Sequence, residues 1–149
     1  MLDEILAEEL KNENLSSISL DNLSKDIEIL RKLRLRYNDE IHKKEIKIYE
    51  DIAESIFEVR IGKYIENELK SSDFDSFVFD FLSKLKDIYI SILTGNIVFN
   101  KDRIMCKVSK QINIKDKVLN PGDIIFLPIK VAISLWTAEY IIPYKLVNY

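Results

Sequence analysis

The sequence predicts a mainly α fold: a four-helix-type bundle followed by a small β-rich, α+β C-terminal domain. Three observations carry this. All three prolines, Pro121, Pro128 and Pro143, fall in the last 29 of 149 residues, and a proline-free stretch permits long unbroken helices. Apolar residues recur at i, i+3 and i+4 up to about residue 93, which is helical spacing. Beyond residue 104, short β-branched runs alternate with turn residues. The expected division is residues 1–96 helical, 97–103 linker and 104–149 β-rich.

Leu2, Ile5, Leu6 and Leu10 are spaced for a short amphipathic helix, and residues 12–19 read as a loop rich in Asn and Ser. Asp21 or Asn22 can cap the next helix by accepting from free first-turn amides. That helix runs to about Tyr37 on Leu23, Ile27 and Leu30. A third helix, from Glu40 to about Leu69, would be about 45 Å long at 1.5 Å per residue. It carries two apolar rows: Ile41, Ile48, Ile52, Ile56 and Val59, and Ile46, Tyr49, Ala53, Phe57, Ile61 and Tyr64. Two rows predict cover on both sides, one side supplied by another chain. Gly62 costs about 1 kcal/mol against alanine in a helix interior, which predicts a close backbone approach there. Ser72 or Asp73 is the expected cap of a fourth helix built on Phe74, Phe77, Val78, Phe81, Leu82, Leu85, Ile88, Tyr89, Ile92 and Leu93, ending at Gly95-Asn96.

Ile97–Phe99 reads as a short connection or last helical turn, and residues 100–103 as a polar linker. Ile104–Val108 and Gln111–Ile114 read as strands, Lys115-Asp116-Lys117 and Pro121-Gly122 as turns, and Ile124–Leu127 as a buried strand. Pro128 suits the first turn of a helix from Ile129 to about Trp136, and Tyr140–Ile142 closes as a strand. About 45 residues are few for an independent core, so this module is expected to lean on something else.

The composition, 47% hydrophobic and 32% charged, is that of a soluble globular chain, and no run of 18 apolar residues exists to span a membrane. The acidic, helical N-terminus has the wrong chemistry for a targeting peptide. The one cysteine, Cys106, fits a reducing cytoplasm and reads as a buried, inert thiol. Residues 1–100 carry 14 basic and 21 acidic side chains, and residues 101–149 carry 8 and 4. The net charge of −3 argues against a dedicated DNA-binding protein.

With His42 as the only histidine, a His-rich zinc site, a Ser–His–Asp triad and a Cys–His pair all lack support. Glu50, Asp51, Glu54 and Glu58 share one helical sector, but a di-iron bundle would need Glu-x-x-His pairs, so they read as a solvated face. No glycine-rich phosphate loop is present. The reading is therefore of a chain with no catalytic site, no metal and no cofactor. The dense basic cluster Arg31, Lys32, Arg34 and Arg36 reads as surface pairing with the acidic first helix. It is also the candidate nucleic-acid contact of the alternative reading, a helical nucleic-acid-binding module.

The segment Pro121-Gly122-Asp123-Ile124-Ile125-Phe126-Leu127-Pro128, followed by Ala132, Leu135 and Tyr140-Ile141-Ile142, resembles the small β-rich B domain of GINS replication factors. Glu58-Val59-Arg60-Ile61-Gly62-Lys63-Tyr64-Ile65 looks like the arginine-then-lysine helix of that family's A domain. Helical domain first and β domain last is the order of the archaeal, Sld/Psf-related type. The linker is short for that type, and the arginine–lysine helix contains Gly62.

The resemblance implies a non-catalytic subunit that joins a sister GINS subunit in a two-plus-two heterotetramer. That tetramer would bridge the MCM helicase and a RecJ-like protein in the cytoplasm, at the nucleoid, with at most an indirect DNA contact and no membrane. It implies a subunit interface at Ile52, Ile56, Phe57, Val59, Arg60, Lys63, Tyr64, Phe77 and Phe81, with Arg60 and Lys63 pairing charges near the assembly surface. It also implies that Gly122, Asp123, Leu127, Pro128, Ala132, Leu135 and Trp136 form the B-domain motif, with Leu127, Pro128 and Trp136 in a small core.

Overall fold

The computed structural model describes residues 1–147, which form a helical part followed by a small antiparallel β region. The helices are α1 (Leu2–Lys11), α2 (Leu20–Arg36), α3 (Glu40–Asn67), α4 (Ser76–Leu93) and α5 (Ile129–Thr137). The strands are β1 (Phe99–Asn100), β2 (Arg103–Val108), β3 (Ile112–Ile114), β4 (Lys117–Leu119), β5 (Ile124–Pro128) and β6 (Ile141–Pro143). The chain makes two compact units, residues 1–79 and residues 80 onward.

In the first unit, Asp39 caps α3, accepting from the amides of Ile41 and His42, both at 3.1 Å. His42 stacks on Tyr37 with ring centroids 4.1 Å apart and pairs with Asp39. Glu68 ends α3 in the left-handed conformation, its amide bonded to the Tyr64 carbonyl. Only Ile56, Arg60 and Tyr64 of α3 are buried, and α2 buries no residue. The Tyr64 ring meets Phe79 edge-on at 5.7 Å, and Phe79 is fully buried.

The expected caps of α2 and α4 are not used. Ser19 precedes α2 without a side-chain bond. Asp73 accepts the Ile18 amide at 2.7 Å, and α4 begins three residues later, at Ser76. A long-range partner has taken the carboxylate that local reasoning assigned to a helix end. The close approach expected at Gly62 is also absent, since no heavy atom lies within 4 Å of where a Cβ would sit.

The second unit is organised around β2. Met105 bonds on one side, donating its amide to Val98 and accepting from Tyr144, both at 2.9 Å. Val108 donates to the Asp123 carbonyl on the other side at 2.8 Å. So β1 and β6 share one edge of β2, and β5 takes the whole of the other. The residues read as a linker include β1 and the start of β2, joined by a two-residue turn with Lys101 at φ 57°. β4, of which the sequence reading assigned only Lys117, to a turn, pairs with β3 through an equally short loop with Lys115 at φ 54°. Both are strands too short for periodicity to register.

Ile104, Cys106, Val108, Leu127, Ala132, Ile133 and Ile141 make the core with Ile88 and Ile97, and Ile92 packs against it. The support expected for a small β module is thus the C-terminal part of α4. Leu127 and Ala132 are central, while Leu135 and Trp136 pack at the margin with Pro128 leading into α5. Gly122, at φ +95°, donates to the Val108 carbonyl at 2.8 Å, and the Asp123 carboxylate accepts the Asn120 amide. Cys106 is fully buried, which pushes its thiol up to about 12.

Because Gly62 is helical and its surroundings are open, Gly62→Ala should stabilise the isolated chain by about 0.5–1 kcal/mol. Urea unfolding of the two chains reads this directly. A lower midpoint for the alanine variant would mean that the space is needed.

Candidate functional site

Arg60 lies on the buried stripe of α3, four residues after Ile56 and four before Tyr64, so helical geometry turns it inward. It is 2% exposed. Its guanidinium places four of its five N–H donors. Nε and Nη2 grip the two Asp75 carboxylate oxygens at 2.7 and 3.1 Å. Nη1 donates to Glu9 Oε2 at 3.0 Å and to the Ser16 carbonyl at 2.7 Å. This is the planar, two-pronged geometry that arginine supplies and lysine does not.

One turn further along α3, Lys63 Nζ donates to Glu9 Oε1 at 2.7 Å and to the carbonyls of Glu9 (2.7 Å) and Asn14 (2.9 Å). The Ser16 amide donates to Glu9 Oε2 at 3.0 Å. Two cations therefore face two carboxylates, Glu9 and Asp75. Burial would by itself push the Glu9 carboxyl up. Lys63, the Ser16 amide and Arg60 outweigh it and hold the group below its ordinary value. Burial likewise opposes the Arg60 charge, but Asp75 and Glu9 outweigh it and raise the guanidinium's pKa.

This hub ties α1, the loop after it, α3 and the approach to α4 into one block. Beside it opens an apolar groove of about 520 Å³, with Ile5, Leu23, Ile56, Phe57, Phe74 and Phe77 in its walls, where Arg60 and Asp75 also reach the surface lining. Phe57 is 54% exposed and Phe77 62%. Aromatic side chains this exposed around one groove form the kind of patch that partners cover.

Of the interface residues expected from sequence, Phe57 and Phe77 lie at the groove. Ile56, Arg60 and Tyr64 are buried within the unit, and Ile52, Val59 and Lys63 are half-buried. Phe81 is exposed and falls in the second unit. Arg60 and Lys63 find their charge partners inside the chain, not at a surface. Their partners Glu9, Ser16 and Asp75 escaped the sequence reading, although one signal was available. Glu9 occupies the inward position of α1, one turn after Ile5, and a carboxylate there calls for a buried cation.

The basic cluster is placed differently from expectation. Arg31 and Lys32 reach Glu28 on their own helix at 2.8 and 3.8 Å, and Arg34 reaches Glu50 on α3 at 2.7 Å. None pairs with α1, and Arg36 makes no ion pair among the described residues. No cluster of potential metal ligands occurs among the described residues, and none of their helices is long and apolar enough to cross a membrane.

Arg60→Ala would leave the buried Asp75 carboxylate without its cation and Glu9 with Lys63 as its one remaining counter-charge, a loss of about 3–5 kcal/mol, readable as a lowered urea midpoint. Arg60→Lys should recover only part of it. Acid should act through Glu9. Its folded pKa is depressed, so its stabilisation is complete above the unfolded value of 4.5. It fades as the pH falls below that value and is gone beneath the folded pKa. Thermal melts of the native chain from pH 6 to pH 3 should show this loss, and Glu9→Gln should flatten it.

The residues that make this geometry match known family models. Residues 1–75 match the N-terminal domain of the GINS complex Gins15 subunit, and residues 95–145 match the C-terminal domain of the same subunit. No curated protein matches the chain. A helical unit knit by Arg60, a β-rich unit and both family matches in that order lead to one conclusion: the chain belongs to the GINS complex Gins15 subunit family, a DNA replication factor family.

Proposed function

We propose that this chain is a non-catalytic scaffold that joins a sister GINS subunit in a two-plus-two heterotetramer. That tetramer bridges the MCM helicase and a RecJ-like partner at the replication fork, in the cytoplasm at the nucleoid. Residues 1–96 serve assembly, residues 104–149 recruit, and residues 97–103 connect the two roles. Membership of a family of GINS complex subunits supports the assembly role.

The observation that carries the reading is the aromatic-walled groove of the helical unit. Its rim residues Phe57, Phe74 and Phe77 are 46–62% exposed, and covering the exposed half of one such side chain is worth about 1–1.5 kcal/mol. The hub behind it, already neutral and hydrogen-bonded, needs nothing from a partner, so docking there carries little desolvation cost. Arg60 and Lys63 act in this scheme by positioning the groove walls. Three of the four clustered cations are already paired, so direct DNA contact is secondary.

Light scattering on a sizing column, of this chain alone and co-expressed with its sister subunit, tests the proposal. The expected result is a stable complex of two plus two. Phe57→Glu and Phe77→Glu should abolish it while leaving the unfolding free energy of the isolated chain, from urea titration, within about 0.5 kcal/mol. A monomer indifferent to the sister chain overturns the reading.

A further inference from the structure

β5 ends the sheet of the second unit, and the hydrogen-bond parity of β2 fixes which of its backbone groups are in use. Val108 bonds to the Asp123 carbonyl, and the Ile129 amide to the Asp102 carbonyl, both at 2.8 Å. The pairs between them, Ile104 with Leu127 and Cys106 with Ile125, therefore face each other in the ladder. The backbone N–H and C=O groups of Ile124 and Phe126 point the other way, while the Pro128 carbonyl opens the hydrogen-bond ladder of α5 as its N-cap. Among the described residues no further strand lies there.

Along that edge runs a groove of about 570 Å³, lined by four consecutive residues of the strand, Ile125 to Pro128. A pocket on one face of a sheet would touch alternate residues only, so consecutive lining carries the groove round to the edge of β5, with Arg103 of β2 entering it where it pairs with Pro128. Its other wall is the β3–β4 turn, and Val131 of α5 closes one end. Arg103, Lys115 and Lys117 stand in its lining against a single carboxylate, Asp116. All three cations are exposed and make no ion pair among the described residues.

We infer that β5 takes an extended, acidic peptide segment of a partner protein as an added strand. Main-chain bonds to Ile124 and Phe126 hold it, alternate apolar side chains enter the groove, and its carboxylates meet Arg103, Lys115 and Lys117. Pro128 has no amide to offer, so the added strand is limited to about four or five residues. The inference deepens the recruiting role proposed for residues 104–149 and does not depend on the sister subunit.

The test is selection of a random twelve-residue phage-displayed peptide library on the full chain. Synthetic versions of the winners are then followed by amide NMR shifts and hydrogen exchange. The winners should carry acidic residues alternating with apolar ones, and binding should protect the Ile124 and Phe126 amides from exchange. Lys115→Glu with Lys117→Glu, both exposed and unpaired, should weaken binding about tenfold without altering the rest of the spectrum. Peptides without acidic preference, winners that map to the helical unit, or no enrichment over the carrier would each overturn the inference. So would a concentration-dependent dimer that protects the same amides, or a single-stranded oligonucleotide that shifts them. A chain that ignores its sister subunit yet binds these peptides would sink the assembly proposal and leave this one standing.

Discussion

The helical unit depends on one guanidinium. A buried cation is unfavourable unless its charge and its donors are answered, and Arg60 is answered from three separate stretches of chain at once. Glu9 comes from α1, Ser16 from the following loop and Asp75 from the approach to α4. Each of those segments is short or lightly packed, and α2 buries nothing at all. Apolar burial alone would leave the segments free to slide over one another. The hydrogen-bonded fork specifies one arrangement, which buried ion networks can do even where their net energy is small.

The second unit solves a different problem, that of closing a sheet around a single long strand. β2 contributes Ile104, Cys106 and Val108 to the core from one face. A sheet face that apolar needs cover, and α5 and the end of α4 provide it through Ala132, Ile133 and Ile88. The module resembled by the tail motif is therefore larger than the motif. Its hydrophobic count closes only when α4 is included, as the size of a minimal core requires.

Helical periodicity made the helices legible in the sequence, and apolar runs between turn residues made β2 and β5 legible, although β5, read as buried, leaves Ile124 and Phe126 exposed. Gly122 was legible too, since its positive φ is what a glycine after proline suggests. Cys106 lies buried, as a thiol in an apolar run should. What stayed illegible were features decided at long range. Asp73 looked like a helix cap and serves the Ile18 amide 55 residues away. The family resemblance put Arg60 near an assembly surface, and only the spacing Ile56–Arg60–Tyr64 hinted at its burial. Strands of two or three residues, β1 and β4, give no period to read. Phe57 and Phe77 were expected at a subunit interface and are exposed, but the groove they border is made jointly with α1 and α2, which sequence alone does not bring together.

The strand order carries a consequence for the sequence of events at the ribosome. The helical unit has every partner of Arg60 once residue 75 has emerged, so it can close while the rest is still being made. The sheet cannot. One edge of β2 is completed by β6, whose Pro143 and Ile141 pair with Cys106 and Val108 from the far end of the chain. A nascent chain that has not reached β6 holds the C-terminal half of that edge open, beside an apolar face, for about 35 residues of synthesis. Loss of the chain from Ile141 onward would recreate the same exposed edge, so β6 works as a latch as well as a strand.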